Sequence, residues 1–307
     1  LIMKKMKQHH KQFPCRPVRA TPNQMKKNLL FLSIIFGVTM FFSGSAHAVL
    51  PALYDTAFGP VQVTAGSDSQ EPAIVRRVNG DLIAVFNASG GDKGSGLYSS
   101  ISKDGGHTWL QPHFILNSWS ASDLMENASG ELFLLAISDV SGDGLVTLTS
   151  GDGISWENKK KVTPTSVNQG VGSIIQAKDG YYYVSFSPST SPPPAHVYVT
   201  RSSDLINWEV PIQASEGNEA EIDSSLLQDS NGTFYLAYNR YVKNPNSFSG
   251  VGHEIVIASS QDWKIWKTVH TVNTGGAGSA HMGINLKEIS GRVTLFYDVY
   301  STFYYAF

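Results

Sequence analysis

Acidic and amide side chains stand just ahead of a series of short apolar strands spread along the chain. The first group is Asp68, Gln70 and Glu71, the second Trp119 and Asp123, and the third Asn168 and Gln169. Glu219, Glu221 and Asp223 form the fourth group, and His281 stands ahead of the last strand. A second set follows the next strand in four of the five: Asn87 and Asp92, Asp139 and Asp143, Asn239 and Arg240 with His253 and Glu254, and Asp298. Two carboxylates brought together do general acid–base work, because their environments push their pKa values apart until one keeps its proton while the other ionises. Loop starts are also rich in Asp and Glu simply as turn formers. Convergence of several such residues on one spot is therefore what would distinguish a site from a set of solvated loops.

The elements that must position them repeat. Each copy reads as a short apolar strand, a turn ending in glycine, and a second apolar strand, and the turn glycines are Gly80, Gly130, Gly180, Gly232 and Gly291. Asn-Gly and Asp-Gly turns between β-branched and aromatic runs predict hairpins. After each of the first four hairpins comes a second pattern. Ser102-Lys103-Asp104-Gly105-Gly106-His107-Thr108-Trp109 is the fullest copy, and shorter copies begin at Ser150, Ser202 and Ser260 and end at Trp156, Trp208 and Trp266. Its Asp can accept backbone N–H groups within the turn, and its Trp is expected to cover the turn and pack on the blade.

The Ser-x-Asp-x-Gly-x-Thr-Trp copy resembles the Asp-box (BNR repeat) of sialidase-like β-propellers. The Ser-x-Asp-Leu-x-x-Trp form at Ser202 is similar to the corresponding turn of five-bladed glycoside hydrolases of the arabinanase and xylosidase type. Repeats at this spacing predict an all-β, five-bladed β-propeller of four-stranded antiparallel blades. The fifth repeat supplies three strands before the chain ends, so Phe58–Thr64 is expected to add the outer strand of blade five and close the ring, which removes exposed edges.

The resemblance implies carbohydrate chemistry at the central axis. Glycoside hydrolysis takes one carboxyl as acid and one carboxylate as base or nucleophile. In the arabinanase-like family a carboxylate base opens blade one, and here that position holds Glu71, in Glu71-Pro72. Glu221 stands as the acid, Asp223 as the neighbour that tunes it, and His281 and Arg240 as substrate-holding groups, with Asp68, Trp119 and Asp123 beside them. Counted from the turn glycines, Glu71 and Asp223 occupy the same place, nine residues before Gly80 and Gly232. The family implies inversion, whereas a carboxylate separation near ~5 Å would favour retention. Two further readings stay open. An exo-sialidase needs three arginines to clamp a substrate carboxylate, drawn from Arg76, Arg77, Arg201, Arg240 and Arg292. A lectin-like propeller would stack sugars on aromatic side chains instead.

The N-terminus carries an address. Met25-Lys26-Lys27 is basic, Leu29–Phe42 is apolar, and Ala46 and Ala48 supply the small residues of a cleavage site. This is the order of a secretory signal peptide cut after Ala48, with an apolar run shorter than a membrane span requires. Met25 is expected as the true start, and a long basic leader over 1–24 is the alternative. One propeller domain over 49–307 remains, secreted or periplasmic and without a membrane span. Segment 1–48 holds eight Lys or Arg and no acid, so the remainder carries 15 basic against 25 acidic residues, about −10. That charge argues against nucleic acid as a partner. Cys15 is the chain's one cysteine, so the mature domain holds together without disulfides. No cofactor is required for this chemistry. Asp143, Asp152 and Glu254 could contribute oxygen ligands to a structural Ca²⁺, and the protein is expected to be a monomer that takes a glycan.

Overall fold

The computed structural model describes residues 63, 69–91, 93–138, 144–163, 169–188, 195–218, 220–243, 251–273, 283–299 and 302–306. All of them fall within one compact unit, Phe58–Phe307. The expected signal peptide, the start at Met25 and the proposed cut after Ala48 lie outside the described residues, as do Asp68 and His281. No described helix is long and apolar enough to cross a membrane.

The described strands form five antiparallel sheets in sequence order. Blade 1 is β1 (Ser69–Arg76), β2 (Leu82–Gly91), β3 (Gly94–Ser102) and β4 (His113–Leu116). Blade 2 is β5 (Ser118–Glu126), β6 (Leu132–Ser138), β7 (Leu145–Ser150) and β8 (Glu157–Lys161). Blade 3 is β9 (Gln169–Gln176), β10 (Tyr182–Pro188), β11 (Tyr198–Ser202) and β12 (Ile212–Gln213). Blade 4 is β13 (Glu221–Gln228), β14 (Phe234–Lys243), β15 (Val251–Ser260) and β16 (Lys267–Asn273), and blade 5 is β17 (Ile284–Ile289), β18 (Arg292–Val299) and β19 (Thr302–Ala306). The first strands β1, β5, β9, β13 and β17 pack against one another in that order. This is the five-bladed β-propeller that the repeats predict. Of the expected closing strand only Val63 is described, and it packs on the face of blade 1 that holds Ala84, Phe86 and Tyr98.

Blades stack face to face, so both faces of a sheet are buried and the strands read as continuous apolar runs rather than as alternating ones. In β2, Ile83 and Val85 face blade 2, joining Leu124, Leu132 and Leu134, while Ala84 and Phe86 face the other way. Phe133, Leu135 and Leu145 meet Ile174, Val184 and Phe186 between blades 2 and 3. Tyr183, Val197 and Val199 meet Leu236, Tyr238 and Val256 between blades 3 and 4, and Ala237 and Ile255 meet Leu286 and Leu295 between blades 4 and 5.

The hairpin turns at the C-terminal ends of the first strands are built alike. Gly80, Gly130, Gly180 and Gly232 all sit at φ between +83° and +94°, where a Cβ would be strained. Neighbouring turns are laced together. The Val78 amide donates to Glu126 Oε2 on blade 2 (2.7 Å), the Lys178 amide to Gln228 Oε1 on blade 4 (2.8 Å), and the Ser230 amide to Glu288 Oε2 on blade 5 (2.7 Å). Arg77 adds an ion pair to Glu126 at 3.0 Å. With the C-terminal ends tied in this way, the N-terminal ends of the same strands gather at the opposite end, the mouth.

The Ser-x-Asp turns between the third and fourth strands also form at the hairpin end. Asp104 accepts from the Thr108 amide and hydroxyl (2.9 and 2.6 Å) and from Ser102 Oγ (2.8 Å). Asp204 accepts from the Asn207 and Ile206 amides (2.7 and 2.9 Å), and Asp152 and Asp262 repeat the scheme. The Trp reaches further than expected. Trp156 bonds Ser99 Oγ of blade 1 at 3.4 Å, and Trp156, Trp208 and Trp266 each pack into the core shared with the preceding blade.

Candidate active site at the mouth

The mouth ends of the first strands share one irregularity. In blade 1, Glu71 and Pro72 stand opposite a single residue of β2, since Gln70 pairs with Asn87 and Ala73 with Val85. In blade 2 the extra residues are Trp119 and Ser122, in blade 3 the break falls between Gly170 and Ser173, and in blade 4 the extra residue is Asp223. β17 pairs with β18 without a break. A bulge interrupts the ladder and re-aims a side chain. The equivalence of Glu71 and Asp223, nine residues before their turn glycines, is thus an equivalence of bulges.

Asp223 makes its bulge at φ +49°, a conformation that Asp tolerates better than most residues. The consequence is a change of face. Residues two apart on a strand share a side, so Glu221 and Asp223 would line one face. They do not. Glu221 pairs across the sheet with Arg240, and its neighbours lie on the blade 3 side. Asp223 meets Asn239, whose Nδ2 donates to Oδ2 at 3.4 Å, and it raises the pKa of the Tyr241 phenol, second to the effect of burial. Tyr241 packs on the His253 ring at 4.5 Å.

Glu221 is fully buried. Its Oε1 accepts from Arg240 Nε at 2.9 Å and its Oε2 lies 3.2 Å from His196 Nδ1, on the segment leading into β11. Gly217 presses so closely that a Cβ there would lie 2.2 Å from Oε1. Arg240 Nη2 donates to the Tyr238 hydroxyl at 3.2 Å. Burial first, and then the Glu221 charge, push the Tyr238 phenol up to about 12. The role of an acid that touches substrate is not what this geometry provides, because both carboxylate oxygens are occupied inside the protein. Glu221 instead fixes the guanidinium of Arg240.

Asp123 is likewise committed to the fold. Its Oδ2 accepts from Ser173 Oγ (2.8 Å) and the Ile174 amide (2.9 Å) of blade 3, and its Oδ1 accepts from its neighbour Leu124 (2.8 Å). Burial raises its pKa against the pull of these donors. It joins two first strands, which differs from the expected contact with substrate. Trp119 lies on β5 and Glu71 on β1, both at the mouth end.

The other arginines stand elsewhere. Arg76 and Arg77 are at the turn end of blade 1, Arg201 is next to the last residue of β11, and Arg292 opens β18 beside its turn. Among the described residues, no group of three His, Cys, Asp or Glu side chains is arranged to hold a metal ion. Asp143 lies outside the described residues, and the Asp152 carboxylate caps its own turn. His196 is the site residue the sequence reading missed. It follows Ser191-Pro192-Pro193-Pro194-Ala195, and nothing in that run marks it as a partner of Glu221.

No protein-family model matches the chain, and no curated protein matches it in sequence. Solved structures do match in fold. The α-L-arabinanase of Penicillium chrysogenum, solved with arabinobiose, superposes with a TM-score of 0.60 at 14% identity over 78% of this chain and 77% of that one. The α-L-arabinofuranosidase of Fusarium graminearum, solved with an iminosugar inhibitor, gives a TM-score of 0.59 at 14% identity over 76% and 75%. The endo-arabinase of Bacteroides thetaiotaomicron gives 0.54 at 18% identity over 77% and 92%. These proteins share the β-propeller fold of this chain.

Proposed function

We propose that this chain is an exported glycoside hydrolase that cleaves a glycan at the mouth of the propeller, with Glu71 and Asp223 as the acid–base pair. The observation that carries the reading is the matched bulge. Two of the first strands place a carboxylate-bearing residue at the same irregular position, nine residues before the turn glycine. Two carboxyl groups flanking a glycosidic bond are what its hydrolysis requires. Arg240, held by Glu221 and Tyr238, is a fixed donor for substrate oxygens. Trp119 and His281 are proposed as further contacts, and arabinose-containing glycans are the first substrates to try, given the fold relatives. Only Arg240 of the five mature arginines stands at the mouth end, which weighs against a three-arginine sialidase clamp.

The test is a panel of aryl arabinosides, xylosides, galactosides, fucosides and sialosides offered to the protein and to its Glu71→Gln and Asp223→Asn variants. Turnover of one substrate that both variants lose supports the reading. No turnover on any of them, with glycan binding intact in both variants, would leave a lectin-like propeller.

A further inference from the structure

At the end opposite the mouth, the Ser-x-Asp turns do not carry the same residue. The residue after the Asp of each Ser-x-Asp turn has positive φ: Gly105 at +75°, Gly153 at +79°, Leu205 at +60° and Trp263 at +59°. At Gly153 a Cβ would lie 2.9 Å from the Ile83 Cδ1 of blade 1, so that side chain would have to shift. Leu205 fills the corresponding place between blades 2 and 3, and Trp263 fills it between blades 3 and 4, where it is 4% exposed. A non-glycine residue in this conformation costs about 1–2 kcal/mol. Burying an indole returns more than that, so Trp263 is held between blades 3 and 4 at a net gain.

Beside Trp263 lies an open groove of about 600 Å³, lined by Lys178, Asp179, Arg201, Gln261, Trp263 and Lys264 among others. That is the size of a small-ligand site. Arg201 is clamped in it, with its Cζ 4.4 Å from the Tyr181 ring centroid and 4.8 Å from that of Trp263. Its Nε bonds Glu209 at 2.7 Å and its Nη1 meets the Tyr183 hydroxyl at 3.4 Å, which leaves Nη2 without a partner among the described residues. The Lys264 ammonium lies 5.8 Å from the Trp263 ring centroid and pairs with no carboxylate among the described residues. The two lining carboxylates are already accepting. Asp179 takes the Tyr181 amide and the Tyr183 hydroxyl, and Asp262 takes the Lys264 and Ile265 amides and Ser260 Oγ. Asp179 Oδ2 also lies 3.9 Å from Arg201 Nη1, so the donors left over are Arg201 Nη2 and the Lys264 ammonium, beside acidic walls.

We infer that this cleft is a second binding site, separate from the mouth, for a sugar that carries a single carboxylate, a uronate. The carboxylate meets Arg201 and Lys264, and the hydroxyls meet the remaining lone pairs of the wall. Two wall carboxylates disfavour a dianion such as phosphate by like-charge repulsion, and they have nothing to offer a bare carboxylate such as acetate.

The experiment is calorimetric titration of the protein with galacturonic and glucuronic acid, galactose, glucose, acetate and phosphate, repeated on Lys264→Glu and Asp223→Asn variants. Trp263 fluorescence serves as a second readout. Lys264 is exposed, so its variant folds. The expected result is uronate binding with Kd on the order of 1 mM, weakened at least about tenfold by Lys264→Glu and unchanged in Asp223→Asn, with the neutral sugars, acetate and phosphate at least about tenfold weaker. Equal binding of the neutral sugars, of acetate or of phosphate would overturn the assignment. So would indifference to Lys264→Glu, a loss confined to Asp223→Asn, or no uronate binding.

Discussion

The two ends of the propeller obey different rules. At the turn end the described blades repeat one another: four hairpins share the same glycine conformation, three pairs of blades share an amide-to-carboxyl or amide-to-amide latch, and four blades share the Ser-x-Asp turn. At the mouth end the copies diverge. The bulge recurs in four blades, but the side chains on it are Glu71 with Pro72, Ser122, Val171 with Gly172, and Asp223. Repetition at one end holds the ring together through local hydrogen bonds. Variation at the other is where chemistry can enter without disturbing that scaffold. At the blade 3–4 cleft the repeating end departs from its own pattern.

The comparison breaks most sharply if mouth residues prove structural. Asp223→Asn keeps a side chain that tolerates positive φ and removes the charge, so turnover should drop by about 10²–10⁴-fold with an unchanged melting temperature. Glu71→Gln should do the same. Glu221→Ala is expected to behave oppositely for a mouth residue. It strands Arg240 and should cost about 3 kcal/mol in denaturant unfolding, whereas a loss of activity at full stability would restore Glu221 to the chemistry.

At the turn end the expected effects are on stability alone. Glu126→Ala removes the partners of Arg77 and of the Val78 amide and should cost about 2 kcal/mol with activity intact. Gly180→Ala forces a Cβ into φ +83° and should cost roughly 1–2 kcal/mol. A smaller, graded effect comes from acid. The Thr108 hydroxyl and amide hold Asp104 below its ordinary 3.8, the Asn207 amide does the same for Asp204, and the Ile265 amide for Asp262. Burial works against Asp152, but the Ser155 and Ile154 amides prevail there too. A carboxylate with a depressed folded pKa contributes stability that is complete above the unfolded value and lost below it. The melting temperature should therefore decline as pH falls below about 4, and Asp104→Asn should flatten the slope.

How much was legible in the sequence divides along the same line. The five hairpins, their turn glycines and the Ser-x-Asp turns were readable because each depends on residues two to four apart, where side-chain type dictates backbone geometry. The alignment of Glu71 with Asp223 was visible as a count from a glycine, though not as a bulge. His196 was not visible at all. It reaches Glu221 from another blade, and no local pattern encodes that approach.

The sequence by itself determined the repeat, the strand order and the turns, since short-range hydrogen bonding and the buried faces of stacked sheets leave little choice. Only the tertiary structure decided which way each carboxylate faces. Glu221 and Asp223, two residues apart, would share a face on a regular strand. The bulge at Asp223 turns one toward Arg240 and His196 and the other toward Asn239 and Tyr241. A change of face is a property of register between two strands, and register is fixed by the packing of both.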